Sequence, residues 1–379
     1  MRTEMSRREP FLYGGSMSAG SHSYTAAACP QGLFSGSTDV SGRTVPKVQK
    51  MCPEEPSLSD RKMNHTYDII IPIFHPGREF ARVLDILRAQ EPAPERIILL
   101  ETLEDGVSPV MYEGCEVIPV RKTEFDHAAT RQLGVSRSKA GAFLFLTQDA
   151  LPQGTDLAEA LLCGLYPENG VSGTADNSRE NRIALCYGRQ LAGPESSEAE
   201  RYARSFNYPA QSRIKSAADL PELGIKTYFA SNVCCMYDRQ IFDMLGGFEA
   251  EAVFNEDMLY TAKALKQGYA AAYAAEACVT HSHNYSAMQY FHRMFDNGMS
   301  QAMHPEVFAG IRSEGEGKKL VSGTAAHLFK TGHPLQVFRL VWQSGWKYLG
   351  FSLGKNYRRF SKKQLRRLAM NKAFIDRMN

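Results

Sequence analysis

A series of short, unbroken apolar runs, separated by stretches with helical spacing, limits this chain to few architectures. Tyr67 to Phe74 (YDIIIPIF) is the first run, and His75, Pro76 and Gly77 end it. Gly77 to Gln90 then sets apolar residues at 80, 83, 84 and 87, which is one face of a helix. Arg96 to Glu101 (RIILLE), Glu116 to Val120 and Ala142 to Thr147 (AFLFLT) continue the strands, with a helix expected near His127 to Ser138. Strands without polar alternation are buried on both faces, so an α/β fold is expected, Rossmann-like, with a mostly parallel sheet and helices on both faces. Such sheets bind ligands at the carboxyl ends of their strands. That rule singles out Phe74 and His75, Glu101 and Thr102, and Gln148 and Asp149.

The second half is less regular. Residues 167–182 and 193–222 are polar and loop-like, Ile183 to Gln190 stands between them, and a strand is expected near Thr227 to Tyr237. A helix should open at Asn255, an N-cap residue type, and stop at Gly268. Ala270 to Thr280 reads as a last strand delivering His281, Ser282 and His283, and helices are expected over Ser286 to Met303 and Ala325 to Leu353.

Composition excludes several classes. The chain has 379 residues, 43% hydrophobic and 22% charged, which removes collagen-like, coiled-coil and wholly disordered readings. No apolar run is long enough to span a bilayer, and the first residues lack a secretory leader pattern, so a cytoplasmic protein is expected. The eight cysteines include no CxxC pair and read as reduced thiols. Residues 1–62 hold only eight Leu, Ile, Val or Phe and are expected to be a disordered extension. The net charge of +3 hides an asymmetry. From Arg312 to Asn379 there are 15 Lys or Arg against 3 Asp or Glu, a net of +12, which leaves −9 on residues 1–311. A basic tail points to an anionic partner.

Several polar residues stand where chemistry could occur. Asp149 ends a hydrophobic strand, where it could ligate a divalent cation bridging a diphosphate, although taken alone it reads as a helix N-cap. Glu256 and Asp257 adjoin at a helix start, where the dipole favours ionised carboxylates. His281 and His283 alternate at a strand end and so point to opposite faces. No GxGxxG follows a strand and no GxxxxGK[ST] occurs, so a nucleotide would be held without a glycine cradle. Cys234 and Cys235 sit in an apolar run and read as core filler.

Six segments in order carry a resemblance: TEFDHAATRQLG (123–134), FLFLTQDALP (143–152), YGRQ (187–190), FASNVCCMY (229–237), LGGFEAEAVFNEDMLYTAKALKQGY (245–269) and AYAAEACVTHSHNYS (272–286). From Tyr67 to about His304 the chain resembles a family 2 glycosyltransferase of GT-A fold, in the rhamnosyltransferase branch. The resemblance implies inverting sugar transfer from a nucleotide diphosphate, with Asp257 as base and Glu256 beside it. The resemblance also implies that Asp149 takes the last place of an Asp-x-Asp element and that a His near 281, taken as His281 with His283 as the alternative, supplies a second ligand of Mg²⁺ or Mn²⁺. Phe74, Glu101 and Arg131 fall on the base, ribose and phosphates, while Asp126, His127, Arg189 and Gln190 fall near the donor sugar; Gln148 also counts as a donor contact. Gly246, Gly247 and Phe248 match a loop that approaches the acceptor. The sequence departs from the broad pattern at Thr147, where the first aspartate would stand, and at Phe74-His75, where Tyr-Asn is usual.

The implied donor is dTDP-rhamnose and the implied acceptor a lipid-linked saccharide in cell-surface polysaccharide synthesis. Alternatives are a hexose or furanose carried by UDP or GDP, or a non-catalytic sugar-nucleotide-binding scaffold. The division expected is an extension (1–62), a catalytic domain (63–304) and a basic amphipathic helical tail (305–379). His333 to Leu353 mixes Val337, Phe338, Leu340, Val341, Trp342, Trp346, Leu349 and Phe351 with basic residues, the composition of a helix lying on anionic lipid. The competing reading is a helix packed on the domain with a solvated basic face. Peripheral association with the inner face of the cell membrane is expected, and no nucleic acid, since no nucleic-acid-binding module accompanies the charge.

Overall fold

A computed structural model describes residues 65–378 except 168–178, 180, 181, 250, 251, 283, 284, 312, 313 and the side chain of 314. The extension expected over residues 1–62 and the expected opposition of His283 to His281 lie outside the described residues. The chain opens with β1 (Tyr67–Ile73), α1 (Glu79–Arg88), β2 (Arg96–Leu103), β3 (Cys115–Arg121), α2 (His127–Arg137) and β4 (Ala142–Leu146). It continues through β5 (Leu151–Pro152), α3 (Leu157–Leu165), β6 (Ile183–Leu191), α4 (Glu198–Asn207), β7 (Arg213–Lys215) and α5 (Leu220–Leu223). Then come β8 (Cys234–Asp238), α6 (Arg239–Met244), α7 (Glu256–Lys266) and β9 (Ala270–Thr280). Six helices follow: α8 (Ala287–Met303), α9 (Pro305–Phe308), α10 (Glu314–Lys330), α11 (Gln336–Lys355), α12 (Lys362–Leu368) and α13 (Lys372–Arg377).

These strands form one sheet in the order β3-β2-β1-β4-β8-β6-β9-β5, with β7 also paired to β9. This is the expected α/β architecture, with helices on both faces and further helices after the sheet. Period-2 side-chain alternation divides the core. Ile69, Ile71, Ile73, Leu144 and Leu146 pack on one face, and Ile70, Phe143 and Phe145 on the other. The ladders from β3 to β4 are parallel, whereas β8 runs antiparallel to both β4 and β6. That reversal matters for the site. It brings the start of β8 to the sheet edge where β1, β2 and β4 end, and β9, parallel to β6, ends there too.

Three local expectations need correction. The strand expected from Thr227 starts only at Cys234, because Gly224–Tyr228 forms a 3₁₀ turn. The single helix expected over Ala325 to Leu353 is two, α10 and α11, broken where Gly332 adopts φ 79° and Pro334 follows. Asp149 caps no helix; it sits between β4 and the short β5, and α3 starts only at Leu157.

The basic C-terminal region is packed rather than trailing. Val253, Phe295, Met299, Leu365, Ala369, Phe374 and Ile375 form a third hydrophobic cluster, which ties α8, α12 and α13 to the loop before α7. Glycines let α11 cross α8 at backbone contact: a Cβ at Gly354 would run into Phe295 O, at Gly350 into Phe291 O, and at Gly298 into Phe351 O. The first half of α11 is different, for Phe338, Val341 and Trp342 are exposed. Gly354→Ala should therefore destabilise the protein by about 1–3 kcal/mol through overpacking against rigid backbone. Gly345→Ala, with nothing near its Cβ, should be neutral or stabilising by up to about 1 kcal/mol. Urea denaturation of the two variants checks the contrast.

Candidate active site

A cavity of about 410 Å³ opens at the shared strand edge. Its wall takes Phe74 from the end of β1, Thr102 from β2, Thr147 and Asp149 from beyond β4, Ser231 to Val233 before β8, and His281 after β9. The start of α7 adds Asn255, Glu256 and Asp257. The acid at 149 and the acid at 257 thus face one cavity.

Two adjacent carboxylates at a buried helix start repel one another, and the surrounding residues separate their roles. Asn255 adopts a left-handed conformation (φ 66°), which asparagine tolerates and which turns the chain into α7. Its side chain makes no capping bond, unlike the expected N-cap. Glu256 faces Arg131 Nη1 at 3.1 Å, and Asn232 Nδ2 donates to Glu256 Oε1 at 3.1 Å. Asn232 is itself held by Tyr237, whose hydroxyl donates to Asn232 Oδ1 at 2.7 Å. The backbone N–H of Asn232 donates to Asp257 Oδ2 at 3.1 Å, and that of Met258 to Asp257 Oδ1 at 2.8 Å.

The electrostatic result is asymmetric. Burial alone would raise Glu256, but Arg131, His127 and the Asn232 amide override it and bring the carboxyl below its ordinary value. Asp257 is pushed up to about 7 by burial and by the charge of Glu256, against its backbone donors. His127 is pushed down to about 4, mainly by burial, so its ring is neutral near pH 7. A fixed anion therefore sits next to a carboxylate poised to exchange a proton.

His281 and Asp149 form the second centre. Arg204 Nη1 donates to Gln190 Oε1, and Gln190 Nε2 donates to Ser231 Oγ at 2.9 Å, so Oε1 is the amide oxygen. His281 Nδ1 lies 3.0 Å from that acceptor and must carry the proton. On the other side of the ring, His281 Nε2 lies 3.5 Å from Asp149 Oδ2. A carboxylate oxygen and an imidazole nitrogen so placed could hold a divalent cation with few protein ligands, whose other positions a ligand's oxygens would fill. Among the described residues no cluster of three or more His, Cys, Asp or Glu could hold a metal alone.

Other expected site residues divide. Phe74, His127 and Arg131 line the cavity. Gln148 stands behind it, clamping Phe74 by accepting from its N–H at 2.7 Å and donating to its carbonyl at 3.1 Å. Glu101 is off the wall, where it accepts from Val110 N at 2.8 Å and holds the loop after β2. Asp126 caps α2 and accepts from Arg377 Nη2 at 2.8 Å. Gln190 orients His281 rather than lining the cavity, and Arg189 does not line it. Gly246, Gly247 and Phe248 also stay off the wall. The two glycines form a left-handed turn after α6, with Gly247 against Gln132, while Phe248 is buried among Phe145, Tyr237, Phe242 and Tyr260.

Sequence reasoning missed part of the wall. Asn232 was visible in FASNVCCMY, but its double role depends on the reversed β8. Tyr285 just before α8, Arg293 and Asp296 on it, and Met370 to Ala373 from the C-terminal segment also line the cavity. Asp296 accepts from Met370 N at 3.2 Å and Asn371 N at 2.8 Å, which draws that segment over the cavity.

No family model matches the chain. It is 33% identical over 313 residues to the O-antigen chain rhamnosyltransferase RfbN of Salmonella typhimurium, covering 81% of this chain and 95% of that protein. It is 31% identical over 316 residues to the O-antigen chain rhamnosyltransferase WbaN of Salmonella anatum, covering 82% and 95%. Among solved structures it is similar to a mannosyltransferase from Pyrobaculum calidifontis in complex with GDP-Man and Mn²⁺ (TM-score 0.42, 12% identity, 82% of this chain and 85% of that one). It is also similar to GalNAc-T7 with UDP, GalNAc and Mn²⁺ (TM-score 0.41, 11% identity, 72% and 57%). Both structural likenesses are too slight to bear on the site.

Removing Arg131 leaves Glu256 as an uncompensated buried charge. Arg131→Ala should cost about 3–5 kcal/mol of stability. The double variant Arg131→Ala/Glu256→Gln should recover part of that loss in urea denaturation; a double variant no more stable than the single would show that Glu256 is not the cause.

Proposed function

As a member of the rhamnosyltransferase family of glycosyltransferases, this chain is a sugar-transferring enzyme of polysaccharide synthesis, and we propose that it moves L-rhamnose from dTDP-rhamnose to a lipid-linked saccharide with inversion. The observation that carries the mechanism is the shared wall on which Asp257 and Asp149 face one cavity, with burial and Glu256 pushing the Asp257 carboxyl up. Asp257 accepts the proton of the acceptor hydroxyl as that oxygen attacks the sugar's anomeric carbon from the side opposite the diphosphate. Glu256, kept ionised by Arg131 and Asn232, maintains the basicity of Asp257 without taking the proton itself. Asp149 and His281 would hold Mg²⁺ or Mn²⁺, which would neutralise the donor diphosphate. Phe74, clamped by Gln148, supports the nucleoside side of the cavity. The same geometry speaks against a non-catalytic scaffold, which has no use for a tuned base.

Asp257→Asn should lower transfer by about 10²–10⁴-fold while nucleotide binding persists. The wild-type rate should rise with pH through a limb near 7, because the base works only when deprotonated; an unperturbed carboxylate would place that limb near ~4. Turnover of Asp257→Asn near the wild-type rate, or a limb near 4, removes Asp257 as base.

The lipid side of the proposal rests on the exposed face of α11. Phe338, Val341, Trp342, Tyr348 and Leu349 recur at helical spacing and are exposed, Phe338 by 76% and Trp342 by 63%. Arg358, Arg359, Lys362, Lys363, Arg366 and Arg367 lie exposed beyond it. No helix among the described residues is long and apolar enough to cross a membrane. This combination suits peripheral binding to an anionic leaflet at the cytoplasmic face. Phe338→Ser/Trp342→Ser should weaken binding to phosphatidylglycerol vesicles by at least about tenfold, since each buried aromatic contributes about 1.5–3 kcal/mol. Unchanged co-sedimentation of that variant with the vesicles would refute the membrane role.

A further inference from the structure

The cavity wall carries four carboxylates, Asp149, Glu256, Asp257 and Asp296, so a nucleoside diphosphate entering it must meet positive charge. Two cations on the wall already hold carboxylates: Lys122 lies 2.8 Å from Glu104 Oε1, and Arg131 3.1 Å from Glu256. Arg293 differs. It projects from α8 to the wall, with its guanidinium 4.7 Å from the ring centre of Phe254 and 5.8 Å from that of Tyr285. Among the described residues it forms no ion pair. Asp296, three residues along the same helix, does not take it, because its two oxygens accept the backbone N–H groups of Met370 and Asn371.

Ring faces fix the plane of a guanidinium while leaving its N–H edge for an anion, which suits a phosphate better than a flexible ammonium would. Arg293 and Asp149 line the same cavity, and Tyr285, which bears on the guanidinium, lines it too. We propose that Arg293, gripped between Phe254 and Tyr285, binds the diphosphate of the nucleotide donor and takes up its charge as the sugar leaves. In that step the bond from the anomeric carbon to the diphosphate oxygen breaks and its electron pair stays on the diphosphate. The acceptor oxygen bonds to the carbon, and its proton goes to Asp257. This assignment rests on the nucleotide-sugar reading above and adds to it a cation supplied from outside the sheet.

The test is calorimetric titration of the full chain and its variants with dTDP, UDP and GDP and with the corresponding nucleosides. Wild type should bind one diphosphate preferentially. Arg293→Ala should weaken that diphosphate by about 10–100-fold, the worth of charged hydrogen bonds. It should change the nucleoside by no more than about twofold, which also serves as the folding control, and Arg293→Lys should recover only part of the loss. A wild type that binds none of the three diphosphates overturns the donor chemistry itself. Unchanged diphosphate affinity in Arg293→Ala, or a diphosphate-selective loss that follows Lys372→Ala instead, overturns the assignment of Arg293.

Discussion

The site depends on the buried ion pair between Arg131 and Glu256. Both side chains are almost inaccessible, at 6% and 8% exposure, and two acids in sequence could not both enter a dry helix start without compensation. Arg131 supplies the charge, Asn232 the geometry, and Tyr237 anchors Asn232 to the aromatic core. Burial, and then the charge that Glu256 keeps, make Asp257 hold its proton more tightly than an ordinary aspartate. The pair divides one structural problem into two chemical roles.

Much of this was legible from residue order. Apolar runs located β1, β2, β4 and β9, and the carboxyl-end rule pointed to Phe74, Thr102 and Asp149, which all reach the cavity. Strand direction was not legible. A run such as NVCCMY reads the same whichever way it crosses the sheet, so the segment FASNVCCMY did not show which of its ends would meet the wall. Residue type alone does not show what a side chain holds. Asp126, Glu101 and Gln148 are polar and lie near strand ends, yet each uses its side chain on nearby backbone, a local satisfaction that spacing does not reveal.

The glycine-phenylalanine turn shows the opposite case. Gly246 and Gly247 were expected near an acceptor, but their left-handed turn serves to bring Phe248 into the aromatic cluster under α7. A motif can thus support a site from behind. The C-terminal helices are the larger surprise. The basic composition suggested an appended surface, and the first half of α11 has that character, but glycine contacts lock its second half on α8 and Asp296 draws the following segment over the cavity.

That last closure has a temporal side. The strands that frame the cavity are translated early, whereas Met370 to Ala373, which complete its wall, emerge some three hundred residues after β1 begins. A chain that has not yet reached residue 373 lacks that part of the cavity wall. The wall thus joins residues from the first strands to residues from the last helices.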